Sequence, residues 1–207
     1  MGFLKEQYRE SILFLRGPLR IDLRNTVIAF FAIWVLFFAV CLFRPEILSM
    51  LIDYIQRVVE SANIADSDGN FSALPILSNN LRASGMSILY GFIPFLYLAA
   101  LPIGMNAAVL GALTASYQVS GRSMLLLAAG LIPHGIFEIP ALLIAFACGL
   151  YLCRGMTDLI RSKEGAPQFN ELVLPLLRTY LTIIAPLLIA ASVIEAYITP
   201  ICMSFFA

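Results

Sequence analysis

The chain has 207 residues, of which 60% are hydrophobic and only 13% charged, with a formal net charge of zero and a mean hydropathy of +0.89. Soluble domains carry about 25% charged residues, so a soluble globular fold is excluded, and the lack of any basic excess excludes a nucleic-acid-binding surface. The apolar residues fall in runs long enough to cross a bilayer, which predicts an all-α, polytopic membrane bundle of about five spans.

Residues 1–25 carry Lys5, Arg9, Arg16, Arg20 and Arg24, interleaved with Phe3, Leu4, Tyr8, Ile12, Leu13 and Leu15. That mixture suits an amphipathic helix lying on a membrane surface, and basic residues ahead of the first span argue for a cytoplasmic N-terminus. No small-residue cleavage site follows the first apolar run, so no signal peptide is expected. The uncharged run 26–43 is the first span. Pro45 then opens an external segment, 45–76. Its Ile47, Leu48, Leu51, Ile52, Ile55, Val58 and Val59 share one helix face, and the turn-rich "ADSDGNFS" follows.

A second span is predicted over 81–101, with Asn79 or Asn80 near its N-cap, and Pro102 and Gly104 end it. The third, 104–117, places Gly104, Ala108, Ala112 and Ser116 on one stripe and Ala107, Gly111 and Ala115 on the next. Such stripes let helix backbones approach closely in lipid and point to self-association as a homodimer; Asn106 reads as an interhelical hydrogen-bonding group. The stretch from Ser123 to Tyr151 is too long for one straight span, since about 29 residues reach ~43 Å against a ~30 Å hydrocarbon core. Gly130, Pro133 and Gly135 offer a break. The reading is therefore an interfacial or re-entrant helix at 123–131 and a fourth span at 133–153, with Pro133, Gly135 and Pro140 shaping its packing. Residues 154–178, with Arg154, Arg161, Lys163 and Arg178, form a cytoplasmic loop, and 179–201 is the fifth span, kinked at Pro186. The topology is N-in and C-out, in a multi-pass cell-membrane protein whose first partner is the lipid bilayer.

Ionisable groups within spans cost about 2.5–3.5 kcal/mol on insertion scales, so they draw attention. His134, the only histidine, and Glu138 are four residues apart and share a helix face. In this topology Glu138 and Glu195 each lie about five residues, ~7.5 Å, below the outer surface. Arg82, Asn79 and Asn80 come to similar depth, which predicts one polar cluster of His134, Glu138, Glu195, Arg82 and an Asn. Its roles stay open: a structural network in which Arg82 neutralises a glutamate, a divalent-metal site on His134, Glu138 and Glu195, or a proton or ion path. Hydrolysis is disfavoured, because no Ser or Cys stands near His134 in sequence and no nucleophile elbow exists; no catalytic residue and no resident cofactor are assigned. Cys41, Cys148, Cys153 and Cys202 lack metal-site spacing and read as small buried hydrophobes.

Three blocks, "NNLRASGMSILYGFIP", "PHGIFEIPALLIA" and "IEAYITP", resemble in that order the stage II sporulation protein M family of prokaryotic membrane proteins. The His134-Gly135-x-x-Glu138-x-Pro140-Ala141 block is the most specific, reinforced by Asn79-Asn80 and by Glu195, Thr199 and Pro200, and the resemblance covers about residues 77–200. Met105-Asn106-Ala107 stands where such proteins often have Asn-Gly. The resemblance implies a non-enzymatic scaffold that anchors membrane or cell-envelope partners, as the family's named member does for peptidoglycan-degrading proteins. A sporulation role is not carried over. The docking surfaces would be 45–62 and 154–178. The alternatives are a small transporter or channel component using the His/Glu cluster, and a metal-dependent membrane enzyme.

Overall fold

The computed structural model describes residues 2–61, 72–162, 164–165 and 167–206, and no strand occurs among them. There are seven helices among these residues: α1 (Gly2–Arg16), α2 (Arg20–Phe43), α3 (Pro45–Ser61), α4 (Ala73–Leu89), α5 (Ala100–Val119), α6 (Met124–Ile160) and α7 (Phe169–Ser204). Four of them, α2, α5, α6 and α7, are long and apolar enough to cross a membrane.

The middle of α6 is the core. Ala141 to Gly149 are all buried, because this stretch is apolar on every side and its Ala and Gly residues let α2, α4, α5 and α7 close around it. α2 packs most extensively on α5. There the small-residue stripes are used within the chain: Ala107, Ala108, Gly111, Ala112 and Ala115 are buried, and a Cβ on Gly111 would lie 2.8 Å from both Phe38 N and Trp34 O. The stripes therefore lend no support to a homodimer. A Cβ on Gly104 would meet nothing within 4 Å, and one on Gly135 only its own helix's Ile139, so neither expected packing glycine holds two helices close.

Side-chain ties bring several helix ends together. Arg154, near the end of α6, pairs with buried Asp22 at the start of α2: Nη2 lies 2.8 Å from Oδ2, and Nη1 donates to Oδ1 at 3.2 Å. At this same end, Phe95 N donates to Thr157 Oγ1 (3.0 Å), so the chain reversal between α4 and α5 lies beside Arg154. Helix α1 docks here too, with Ser11 and Thr182 hydroxyls 2.9 Å apart and Arg178 lying 3.8 Å from Glu10. Its Phe3, Leu4, Tyr8 and Leu13 stay exposed. At the other end α3 rests on α2 and α5 through Ile47, Leu48 and Leu51. Of the turn-rich loop expected at 65–72 only Ser72, which precedes α4, is among the described residues, and Lys163 also lies outside them.

Several expected boundaries move. The helix expected over 81–101 begins at Ala73 and ends at Leu89, followed by a single 3₁₀ turn and irregular chain through Phe95 and Tyr97, which have φ of 68° and 48°. The interfacial helix at 123–131 and the span at 133–153 are one helix of 37 residues with Pro133 and Pro140 inside. Pro133 does not start a helix. It removes one hydrogen bond, to the carbonyl of Ala129, and a long buried helix held on several sides tolerates that loss. The region 154–178 is mostly helical: α6 runs on to Ile160, and α7 starts at Phe169 with Glu171 accepting a bond from Gln168 N at 2.9 Å. Within α7, π-helical turns at Tyr180–Ile184 and Ile194–Ile198 precede Pro186 and Pro200. The wider turn moves the proline ring off the carbonyl four residues back.

Candidate functional site

Three expected residues meet. His134, Glu138 and Glu195 each place a ligating atom within 4.8 Å of the other two. His134 and Glu138 are supplied by adjacent turns of α6, with Nε2 3.9 Å from Glu138 Oε2 and side-chain exposures of only 12% and 21%. Glu195 comes from the second π turn of α7. That turn carries one extra residue, which shifts the outward direction of each side chain after it, and π turns of this kind recur at functional sites.

Thr199 joins them. Its hydroxyl lies 3.2 Å from His134 Nδ1, it is buried, and it occupies the same face of α7 one turn after Glu195. The sequence placed Thr199 in a motif but assigned it no role; its four-residue spacing from Glu195 was the available signal. The Thr199 contact occupies Nδ1 and leaves Nε2 facing the carboxylates, which is how second-shell groups orient a ligating imidazole.

Arg82, Asn79 and Asn80 do not join in this way. Arg82 is exposed and forms no ion pair with either glutamate, Asn79 is exposed, and Asn80 is buried elsewhere on α4. The cause is the early start of α4. Arg82 is nine residues, ~13 Å, beyond Ala73. Tyr180, fifteen residues or ~22 Å along α7 from Glu195, donates to Leu81 O at 3.0 Å and so holds Arg82's turn away from the cluster. The cluster also lies well inside α6 rather than on the first turns of a helix. With α6 continuous, Glu138 is ~21 Å from Met124 and ~24 Å from Arg154 along the axis.

Two clefts meet at His134. One, of about 620 Å³, lies between α2, α5 and α6, with Trp34, Leu110, Leu113, Ala128 and Leu131 in its walls and Asn106, His134 and Glu138 among its polar groups. Asn106 does not bond across helices; it donates to Pro102 O at 2.8 Å in its own helix. The second cleft, of about 470 Å³, is formed by α6 and the end of α7, with Glu195, Thr199, Pro200, Met203 and Ser204. The cluster can thus be reached from both sides. Chemically, two carboxylates and one imidazole can share protons or hold a cation.

Glycines that sequence reasoning passed over carry the close packing below the site. A Cβ on Gly149 would clash with the Ser87 backbone carbonyl and come within 2.7 Å of Ala99 Cβ, and one on Gly91 would strike the Gly149 carbonyl.

Comparison with known proteins supplies the relationship. The Stage II sporulation protein M family matches residues 27–200 of the chain. The chain is also similar to the uncharacterized protein MJ0793 of Methanocaldococcus jannaschii, at 32% identity over 130 residues, which are 63% of this chain and 72% of that protein. No solved structure matches. With the family matching most of the chain, and with apolar helices long enough to span, this is a membrane protein that belongs to the Stage II sporulation protein M family.

Proposed function

We propose that the chain is a non-enzymatic membrane subunit that holds partner proteins in the bilayer, and that its intramembrane cleft between α2, α5 and α6 seats a partner's transmembrane helix. The observation that supports this is the cleft itself: about 620 Å³, walled by apolar side chains of three spanning helices, with Asn106 and Glu138 reachable from it. An occupant there must be apolar along its length, and a polar side chain on it would be favoured opposite these groups. A cytoplasmic N-terminus places the Arg154 end inside. Hydrolysis is unfavoured by a physical argument. Thr199 is the hydroxyl nearest His134, but it is β-branched and lies within a helix, where backbone N–H groups are committed and offer no oxyanion hole.

Photo-crosslinking in native membranes tests the reading. A photoreactive residue at Leu113, in the cleft, is expected to trap one discrete membrane protein, and one at exposed Ile28 is not. Ala128→Trp, which fills the cleft, should abolish that adduct while helicity and elution volume stay unchanged. Crosslinking to lipid alone at Leu113, or an adduct that survives Ala128→Trp, would overturn it.

A further inference from the structure

We propose that His134, Glu138 and Glu195 form a binding site for one divalent transition cation such as Zn²⁺ or Mn²⁺, with Thr199 as the residue that positions the histidine. This goes beyond partner binding and stands on the donors alone, whether or not a helix occupies the cleft.

The three donors are close enough to share an ion. With metal–ligand bonds of about 2.0–2.2 Å, neighbouring donors of a tetrahedral ion are ~3.4 Å apart. The three donors lie within 4.8 Å of each other, so closing on an ion takes shifts of roughly 1 Å, within the reach of a Glu rotamer.

Charge points the same way. Two carboxylates this close inside an apolar bundle are costly when both are ionised, and a cation between them removes that cost as a shared proton would. Among the described residues, the arginine ion pairs lie elsewhere: Arg154 is engaged with Asp22, Arg178 and Arg9 with Glu10, and Arg82 with neither glutamate. One divalent ion with two carboxylates and a neutral imidazole sums to zero, the arrangement that costs least in a low-dielectric interior.

So does ligand orientation. Thr199 holds Nδ1, so Nε2 is the nitrogen offered toward Glu138. The donor set of one nitrogen and two carboxylate oxygens is of mixed hardness, favouring Zn²⁺ or Mn²⁺ over a thiophilic ion. Cys202, the cysteine nearest in α7, is absent from both clefts' linings. Water reaching the site through the second cleft would complete the coordination shell.

The test uses the full chain, purified in mild detergent, stripped with a chelator and dialysed against ZnCl₂ or MnCl₂. Elemental analysis is expected to give one ion per chain, with saturable heat in calorimetry and a rise in melting temperature. Glu138→Gln and Glu195→Gln, near-isosteric changes, should each lower affinity by at least tenfold. Thr199→Val, which keeps shape but removes the Nδ1 partner, should weaken binding about 10–100-fold without altering stoichiometry at saturation. The Glu46→Gln control, on α3, should bind as the unaltered chain does. Absence of saturable binding by the folded, helical protein would overturn the site, as would binding unchanged by Glu195→Gln or equally weakened by Glu46→Gln. Should a Gln variant fail to fold, Thr199→Val with its unchanged stoichiometry and altered affinity decides alone.

Discussion

The same substitution at two positions on one helix should act with opposite sign. Gly104 and Gly111 are seven residues, about two turns, apart on α5. An alanine at either gains about 0.8–1.0 kcal/mol of intrinsic helix propensity. At Gly104 nothing lies within 4 Å of the new methyl, so the gain stands. At Gly111 the methyl would sit 2.8 Å from Phe38 N and Trp34 O and 2.9 Å from Phe37 Cβ, which is backbone or backbone-proximal matter that cannot rotate away. Relief requires α2 and α5 to separate by roughly 0.6–1 Å to reach ordinary contact distance, and overpacking of this kind costs about 1–3 kcal/mol. The Trp34 Nε1 to Thr114 Oγ1 bond, at 3.3 Å, would stretch with it. Net, Gly111→Ala should destabilise by up to about 2 kcal/mol and Gly104→Ala should stabilise by up to ~1 kcal/mol. Thermal unfolding in one detergent, followed by intrinsic fluorescence, reads both. If the two variants shift the midpoint in the same direction and by similar amounts, the close α2–α5 approach at Gly111 is wrong.

Asp22→Asn should destabilise by about 1–2 kcal/mol. That is less than a fully buried pair would lose, because the Arg154 side chain is 41% exposed, and the Asp22→Asn/Arg154→Gln double variant should recover part of the loss in a thermodynamic cycle; simple additivity would refute the pairing. Tyr180→Phe removes a donor to Leu81 O (3.0 Å) that also lies 3.2 Å from Ser84 Oγ, and should cost about 1 kcal/mol and raise hydrogen exchange in α4 specifically; uniform exchange would refute that tie. In a background lacking the native cysteines, Arg122→Cys and Arg161→Cys flank a 37-residue helix and should react with an impermeant maleimide from opposite faces, Arg161→Cys only after lysis. Labelling of both from one side would break the topology.

Much of the site was legible because its chemistry is rare in apolar sequence. A single histidine four residues before a glutamate in a span, and a second glutamate one turn before Thr199-Pro200, were visible without coordinates, and these are the residues that meet. What misled was punctuation. Pro133 looked like a helix start because proline costs a free helix several kcal/mol, yet packing of α6 on α2, α4, α5 and α7 outweighs one lost bond. The sequence also gave no sign that α4 begins at Ala73, since "ALPILS" carries a proline that sits harmlessly in the first turn. That eight-residue difference from the expected start at 81 is what separates Arg82 from the glutamates. The π turns and the Gly91–Gly149 approach leave no local signature, as both are imposed by neighbours.

The central claim is that α6 and α7 bring Glu138 and Glu195 together inside the bundle. A cysteine pair, Glu138→Cys with Glu195→Cys in the same cysteine-free background, tests it most directly, by treatment of native membranes with dibromobimane, which fluoresces only when it joins two nearby thiols. Fluorescence is expected for this pair, from donors now within 4.8 Å, and none for Glu138→Cys with Arg154→Cys, ~24 Å apart along α6. Equal signals from the two pairs, or none from the first, would contradict it.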